Sequence, residues 1–198
     1  MVATISRKET GVRKWVKSNR TMPLGIVVIL ASAVQISGCG AMNAPLAVVD
    51  YVDLERYLGR WYEIARYPSS FETGCVGVTA DYSLRDDGRI RVLNTCIEST
   101  LDGPERTIEG SARIADSSTN ARLKVTFFWP FEGDYWIIDL DEDYSYAVVG
   151  APDRRFLWIL SRTPTMNEEL YQQILDSLPE RGFDPDRLIL VPQAESDE

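Results

Sequence analysis

A chain of 198 residues with 44% apolar content and a formal charge of −9 holds enough apolar material for one packed domain and too little length for two full ones. Its basic residues are unevenly placed: Arg7, Lys8, Arg13, Lys14, Lys17 and Arg20 all precede residue 22, opposed there only by Glu9, so the remainder is strongly acidic. An acidic body excludes binding along a phosphate backbone, which needs a basic stripe, and nucleic acid is not an expected partner.

The basic start leads into the apolar run LGIVVILASAV. That run fits the core of an export signal and falls short of the roughly 20 residues of a spanning helix. The segment Ile36-Ser37-Gly38-Cys39 then resembles the lipobox of bacterial lipoproteins, in which an apolar and two small residues precede a cysteine that is lipidated. The resemblance implies that residues 1–38 are a lipoprotein signal peptide, that Cys39 is the lipid anchor and that residues 39–49 are a flexible tether. More than one acyl chain gives stable attachment. Gly40, where an Asp would direct retention in the inner membrane, implies attachment to the outer membrane of a two-membrane cell, facing the periplasm. The alternative is an ordinary secretory signal whose Cys39 stays free or pairs in a disulfide.

Residues 50–193 read as one domain, followed by an acidic tail at 194–198. GRWYEIARY, VTADYSL, RIRVLN, RTIEGSARI, ARLKVTFFW, YWIIDL, YSYAVVGA and RFLWILSR alternate or are β-rich, and turn-prone groups separate them. This spacing predicts eight antiparallel strands in a sandwich or barrel, with no βαβ alternation. A helix follows: Thr165 and Glu168 fit a capping box, Leu170, Ile174 and Leu178 share a face, and Pro179 and Gly182 end it. RLILVP is a further short strand.

In an oxidising compartment Cys75 and Cys96 read as one disulfide. A two-residue turn at Asp87-Gly88 sets Cys96 opposite Thr79, a stagger too long for a bridge between ideal strands. An irregular FETGC loop, permitted by Gly74, would allow it. The rival reading is a reactive free thiol, which would have no histidine base in this chain.

YLGRWYEIARYPSSFETG, DLDEDYSYAVV and LWILSRTP, in this order, resemble the three signature regions of the lipocalin family, closest to its bacterial outer-membrane and apolipoprotein D branches. The second region departs from the usual Thr-Asp-Tyr form, so an altered turn surface is expected on an unchanged fold. The resemblance implies an all-β, eight-stranded up-and-down antiparallel β-barrel with one C-terminal α-helix packed outside. Gly59, Trp61 and Arg162 would close the barrel, the guanidinium lying over the indole. The family's pocket aromatics fall on Tyr82, Phe127, Tyr135 and Trp158, and alternation adds Val125, Trp129, Phe156 and Leu160.

This lining suits a fatty acid or lysophospholipid, carried or scavenged near a membrane reached through the lipid anchor. No cofactor, metal or catalytic residue is expected: the chain lacks histidine, clustered cysteines and nucleotide-binding or nucleophile-elbow motifs. The alternatives are a lipocalin-fold enzyme acting through Tyr82, Tyr135 or a free Cys75, and an envelope interaction protein with a vestigial cavity. A homodimer is left open beside the monomer.

Overall fold

The computed structural model describes residues 45–194. The signal segment 1–38, the Cys39 anchor, the first part of the tether and residues 195–198 lie outside the described residues.

A short helix, α1 (Leu54–Tyr57), precedes eight strands: β1 (Gly59–Arg66), β2 (Cys75–Leu84), β3 (Ile90–Glu98), β4 (Glu105–Asp116), β5 (Arg122–Phe128), β6 (Phe131–Leu140), β7 (Tyr146–Gly150) and β8 (Leu157–Ser161). Each pairs antiparallel with its sequence neighbour, and β1 pairs with both β2 and β8, which closes an eight-stranded barrel. Helix α2 (Glu168–Ser177) follows, then β9 (Ile189–Leu190), which pairs with Ala65 and Arg66 of β1. Closure leaves no free barrel edge, and the inward side chains alternate with outward ones.

Two large apolar groups divide the work, beside a small one of Cys75, Val78, Cys96 and Val191. Inside are Trp61, Tyr82, Val92, Leu123, Ile137, Val149 and Leu160. Outside, Ile174 and Leu178 of the α2 region pack with Ile64, Ile138, Val148 and Ile159. Burying each such side chain is worth about 1.5–3 kcal/mol, far more than a ten-residue helix could supply by its own propensity. The cap is not the expected Thr165: Asn167 accepts from the amides of Glu169 and Leu170 at 2.9 and 3.2 Å, and Thr165 instead offers its carbonyl to Thr163. Asn is among the strongest N-caps, and it stands directly before the first helical residue.

The first hairpin also differs from the expected two-residue turn. Leu84 faces Ile90, so the loop is Arg85–Arg89, and Thr79 faces Thr95 instead of Cys96. Its backbone is held from Arg85 N to Arg89 O at 2.8 Å, from Gly88 N to Arg85 O at 3.0 Å and from Arg89 N to the Asp87 carboxylate at 3.0 Å. Farther along the pair a bulge falls between Val76 and Thr79, where Gly77 takes φ +56° and a Cβ would stand 2.7 Å from Ile97. The slip lets Cys75 meet Cys96, with S–S 2.01 Å and Cα–Cα 5.3 Å. No free Cys75 thiol exists in this structure, which removes that catalytic candidate.

The expected tether is shorter at its domain end. Leu46 is buried, Val48 and Val49 pack on the barrel, and the Val49 amide donates to Ile137 O at 3.1 Å.

Candidate ligand cavity

Antiparallel up-and-down winding puts the β1–β2, β3–β4, β5–β6 and β7–β8 connections at one end of the barrel. The other end is the floor, where Trp61 is fully buried and its indole N–H donates to Tyr57 O at 2.9 Å. Arg162 lies over it, 3.8 Å from the ring centre. Its guanidinium donates to Arg56 O at 2.6 Å, Arg60 O at 2.8 Å and Tyr144 O at 3.3 Å, tying α1, β1 and the β6–β7 turn together. Gly59, beside that guanidinium, takes φ +91°, a left-handed conformation that favours glycine. The altered β6–β7 turn is organised by Asp141, whose carboxylate accepts from Ser145 Oγ at 2.7 Å and from two backbone amides. Those bonds, the Ser145 hydroxyl foremost, hold its pKa below the usual value.

Above the floor is a cavity of about 1020 Å³. Tyr82, Val125, Phe127, Tyr135, Phe156, Trp158 and Leu160 all line it. Phe156 and Trp158 stack at 5.7 Å, and Phe71 of the β1–β2 connection meets Phe156 at 5.7 Å. Gly110 makes room for Phe127: a Cβ there would stand 2.7 Å from the ring.

Trp129 is a correction. It does not line the cavity and is 88% exposed. A register slip between Val125 and Phe128 breaks the two-residue alternation, Phe128 pairs directly with Phe131, and Trp129-Pro130 forms the turn between them. Neighbouring rim residues Phe128 and Phe131 are also largely exposed.

Several polar residues in the barrel were missed by the sequence reading. Glu63 is 5% exposed, lines the cavity and receives Arg66 Nη1 at 2.7 Å. Burial, then the neighbouring Glu72, raises its pKa well above the usual carboxylate range against the pull of Arg66. Arg66 also donates to the carbonyls of Glu72 and Cys75. The signal for Glu63 was its place two residues after inward-facing Trp61. A bulge between Glu63 and Ala65 turns Arg66 to the same face, which no period-two reading shows.

The second polar group joins Tyr57, which the sequence reading missed, to the expected Tyr82 and Tyr135. Tyr135 Oη lies 2.7 Å from Tyr57 Oη and 3.1 Å from Tyr82 Oη. Burial is the main cause that pushes all three up, Tyr82 to about 12, so they are neutral hydroxyls at neutral pH and poor general bases. The third feature is Asn94, which lines the cavity and whose side-chain oxygen has no hydrogen-bond partner. Among the described residues no three His, Cys, Asp or Glu side chains converge as a metal site.

A barrel closed at one end, with an aromatic-lined cavity and an arginine-covered tryptophan at its floor, carries its family's sequence features in place. Residues 52–193 match the lipocalin-like domain family. The chain is a lipocalin. It is 44% identical to the outer membrane lipoprotein Blc of Escherichia coli (strain K12) over 176 residues, covering 88% of this chain and 98% of the relative. With apolipoprotein D of Mus musculus it shares 36% over 157 residues, 74% of this chain and 80% of that one. Among solved structures, insecticyanin from the tobacco hornworm Manduca sexta superposes on this lipocalin with a TM-score of 0.63 at 22% identity, covering 77% of this chain and 86% of that one.

Proposed function

We propose that this lipocalin is held on the outer membrane by a lipidated Cys39, facing the periplasm, and carries or scavenges a fatty acid or lysophospholipid. The observation that carries the reading is the cavity of about 1020 Å³, apolar along most of its wall and stoppered at the floor. Such a space suits one acyl chain, whose burial supplies about 0.8 kcal/mol per methylene. The near full-length similarity to outer membrane lipoproteins supports the anchor and the location. Exposed Phe71, Phe128, Trp129 and Phe131 at the mouth fit exchange of ligand with an apolar phase.

Two experiments test this together. Native mass spectrometry and lipid extraction of the protein purified from its own membrane should yield a single-chain lipid at one per barrel, and the intact mass also reads whether the chain pairs as a homodimer. Membrane fractionation of Cys39→Ser should move the protein out of the outer-membrane pellet. An empty barrel in the first, or unchanged sedimentation of a cleaved variant in the second, overturns the corresponding half of the proposal.

A further inference from the structure

The charged side chains on the cavity wall are matched by partners at all places but one. Arg106 pairs with Glu98, Glu132 with Arg113, Asp134 with Lys124, and Asp153 with Arg155. The exception is Glu63 and Glu72, two carboxyls that share the single guanidinium of Arg66. Arg66 Nη1 reaches Glu63 Oε1 at 2.7 Å, whereas Glu72 Oε2 stands 3.7 Å from Nε, beyond a hydrogen bond, and Nε has no acceptor among the described residues. The two carboxyls also meet each other in a hydrogen bond, so one small group can reach both. A bond between two acids needs a proton. Two carboxyls, one guanidinium and that proton are together neutral.

Layering gives this cluster its sign. Glu63 and Glu72 line the cavity and Arg66 does not, so the acids stand in front with the guanidinium behind them. Glu63 Oε2 and Glu72 Oε1 accept from no donor group among the described residues, and neither oxygen is sealed off. Aromatic rings flank them. Phe71 precedes Glu72 and meets Phe156 at 5.7 Å, and Phe156 stacks on Trp158 at 5.7 Å. Glu63 is the cross-strand partner of Leu160, two residues from Trp158 on the same lining.

Resting on the cavity as the ligand site, we propose that Glu63 and Glu72 form a head-group subsite for the ammonium of a single-chain lipid, the ammonium taking the place of the shared proton. An ammonium brings one positive charge and N–H donors for the free oxygens, so the cluster stays neutral when the proton leaves. A carboxylate head would set a third acid beside two, and unpaired buried charge is costly. The subsite therefore selects an amine-headed lysophospholipid over a free fatty acid. Position agrees: Glu63 lies on the mouth side of Trp61 on β1 and Glu72 on the β1–β2 connection, so the acyl chain runs down toward Tyr82. Exchange of proton for ammonium also ties binding to pH. The charged and titratable groups facing Glu63 are Arg66 on its own strand, Glu72 on the connection and Tyr82 on β2, while β8 presents Leu160. Tyr82 is a neutral hydroxyl at neutral pH, so the proton that leaves is the shared one. Burial and then Glu72 hold it on, so affinity for the ammonium rises as pH rises.

The test is displacement of a fluorescent fatty acid by lysophosphatidylethanolamine and lysophosphatidylglycerol of one chain length, which differ in the amine. At about pH 8 the wild type should bind the amine lipid about tenfold tighter, and the ratio should shrink as the medium is acidified. Calorimetry in two buffers of different ionisation heat should show proton release for the amine lipid alone. Glu63→Gln and, independently, Glu72→Gln should bring the ratio near unity and abolish the release. Glu109→Gln removes an equal charge from an exposed pair with Arg91 and should change neither, which separates the subsite from general repulsion by an acidic protein. The ratio is read within each variant, so a general weakening cancels, and either cavity variant suffices if the other does not fold. The subsite is overturned if the wild type shows no preference, if the preference survives in the cavity variants, or if Glu109→Gln abolishes it as well. Equal displacement by both lipids leaves the cavity reading standing and removes the subsite alone; if neither lipid displaces the probe, the cavity reading falls first and the subsite falls with it.

Discussion

Arg162→Ala probes the floor of the barrel, and its cost can be worked from the contacts. The guanidinium makes short hydrogen bonds to Arg56 O and Arg60 O and a longer one to Tyr144 O, and it lies 3.8 Å from the Trp61 ring centre. The first two bonds run at the protein surface, where water can replace the lost donor, so about 1 kcal/mol each is appropriate, with about half that for the third. The cation–π contact adds about 1 kcal/mol. The sum is roughly 3–4 kcal/mol, which for a domain of this size corresponds to a Tm drop on the order of 10 °C. Thermal unfolding followed by circular dichroism measures it, and Arg162→Lys should recover only part, because an ammonium cannot span three carbonyls. Affinity for a fluorescent fatty acid, measured well below both melting temperatures, should hardly change, since Arg162 does not line the cavity. A Tm loss under about 3 °C would refute the idea that this residue locks the floor.

Trp158→Ala should weaken fatty-acid binding by about 2 kcal/mol, roughly thirtyfold, and equal affinity in titration would remove the ring from the ligand's path. Gly110→Ala should do so from outside the lining and lower the Tm as well, because its Cβ would stand 2.7 Å from both the Phe127 ring and the Thr126 carbonyl; unchanged affinity with an unchanged Tm would show that ring and strand both yield freely. Replacing Cys75 and Cys96 with Ala should cost on the order of 3 kcal/mol in denaturant unfolding, since the bridge closes a loop spanning 21 residues. Glu63 holds its proton more tightly folded than unfolded, so its contribution to stability is complete below the ordinary value of 4.5 and is lost as pH rises through the raised one. The Tm of the wild type minus that of Glu63→Gln should therefore decline from acid to alkaline pH, and a difference that rises instead would mean that ionised Glu63 is the favoured form.

Much of the fold was legible because strand alternation, turn residues and three separated signature regions agree on one architecture. Cap chemistry was misread at Thr165, where two adequate caps stand two residues apart and only the backbone decides between them. Helix α1 gave no periodic signal, being a single turn over Leu54–Tyr57 capped by Asp53. Without it, Tyr57 could not be placed in the barrel floor from sequence.

What was not legible has a common physical source. Alternation assigns an inward or outward face only while the register holds, and one extra residue reverses every later assignment. The slip before Phe128 puts Trp129 in the turn, the slip after Glu63 brings Arg66 inward, and the slip at Gly77 delivers Cys75 to Cys96. Each lies on the mouth side of its strand, whereas Trp61 and Tyr82 near the floor kept their expected faces. Two further slips, between Ile114 and Asp116 and between Ile137 and Asp139, lie toward the floor, so bulges, which bend and twist the strands they interrupt, break the simple pattern at both ends of the barrel. The consequence is chemical as well as geometric: the slips after Glu63 and at Gly77 set a buried ion pair and the disulfide into a wall that alternation alone would read as apolar.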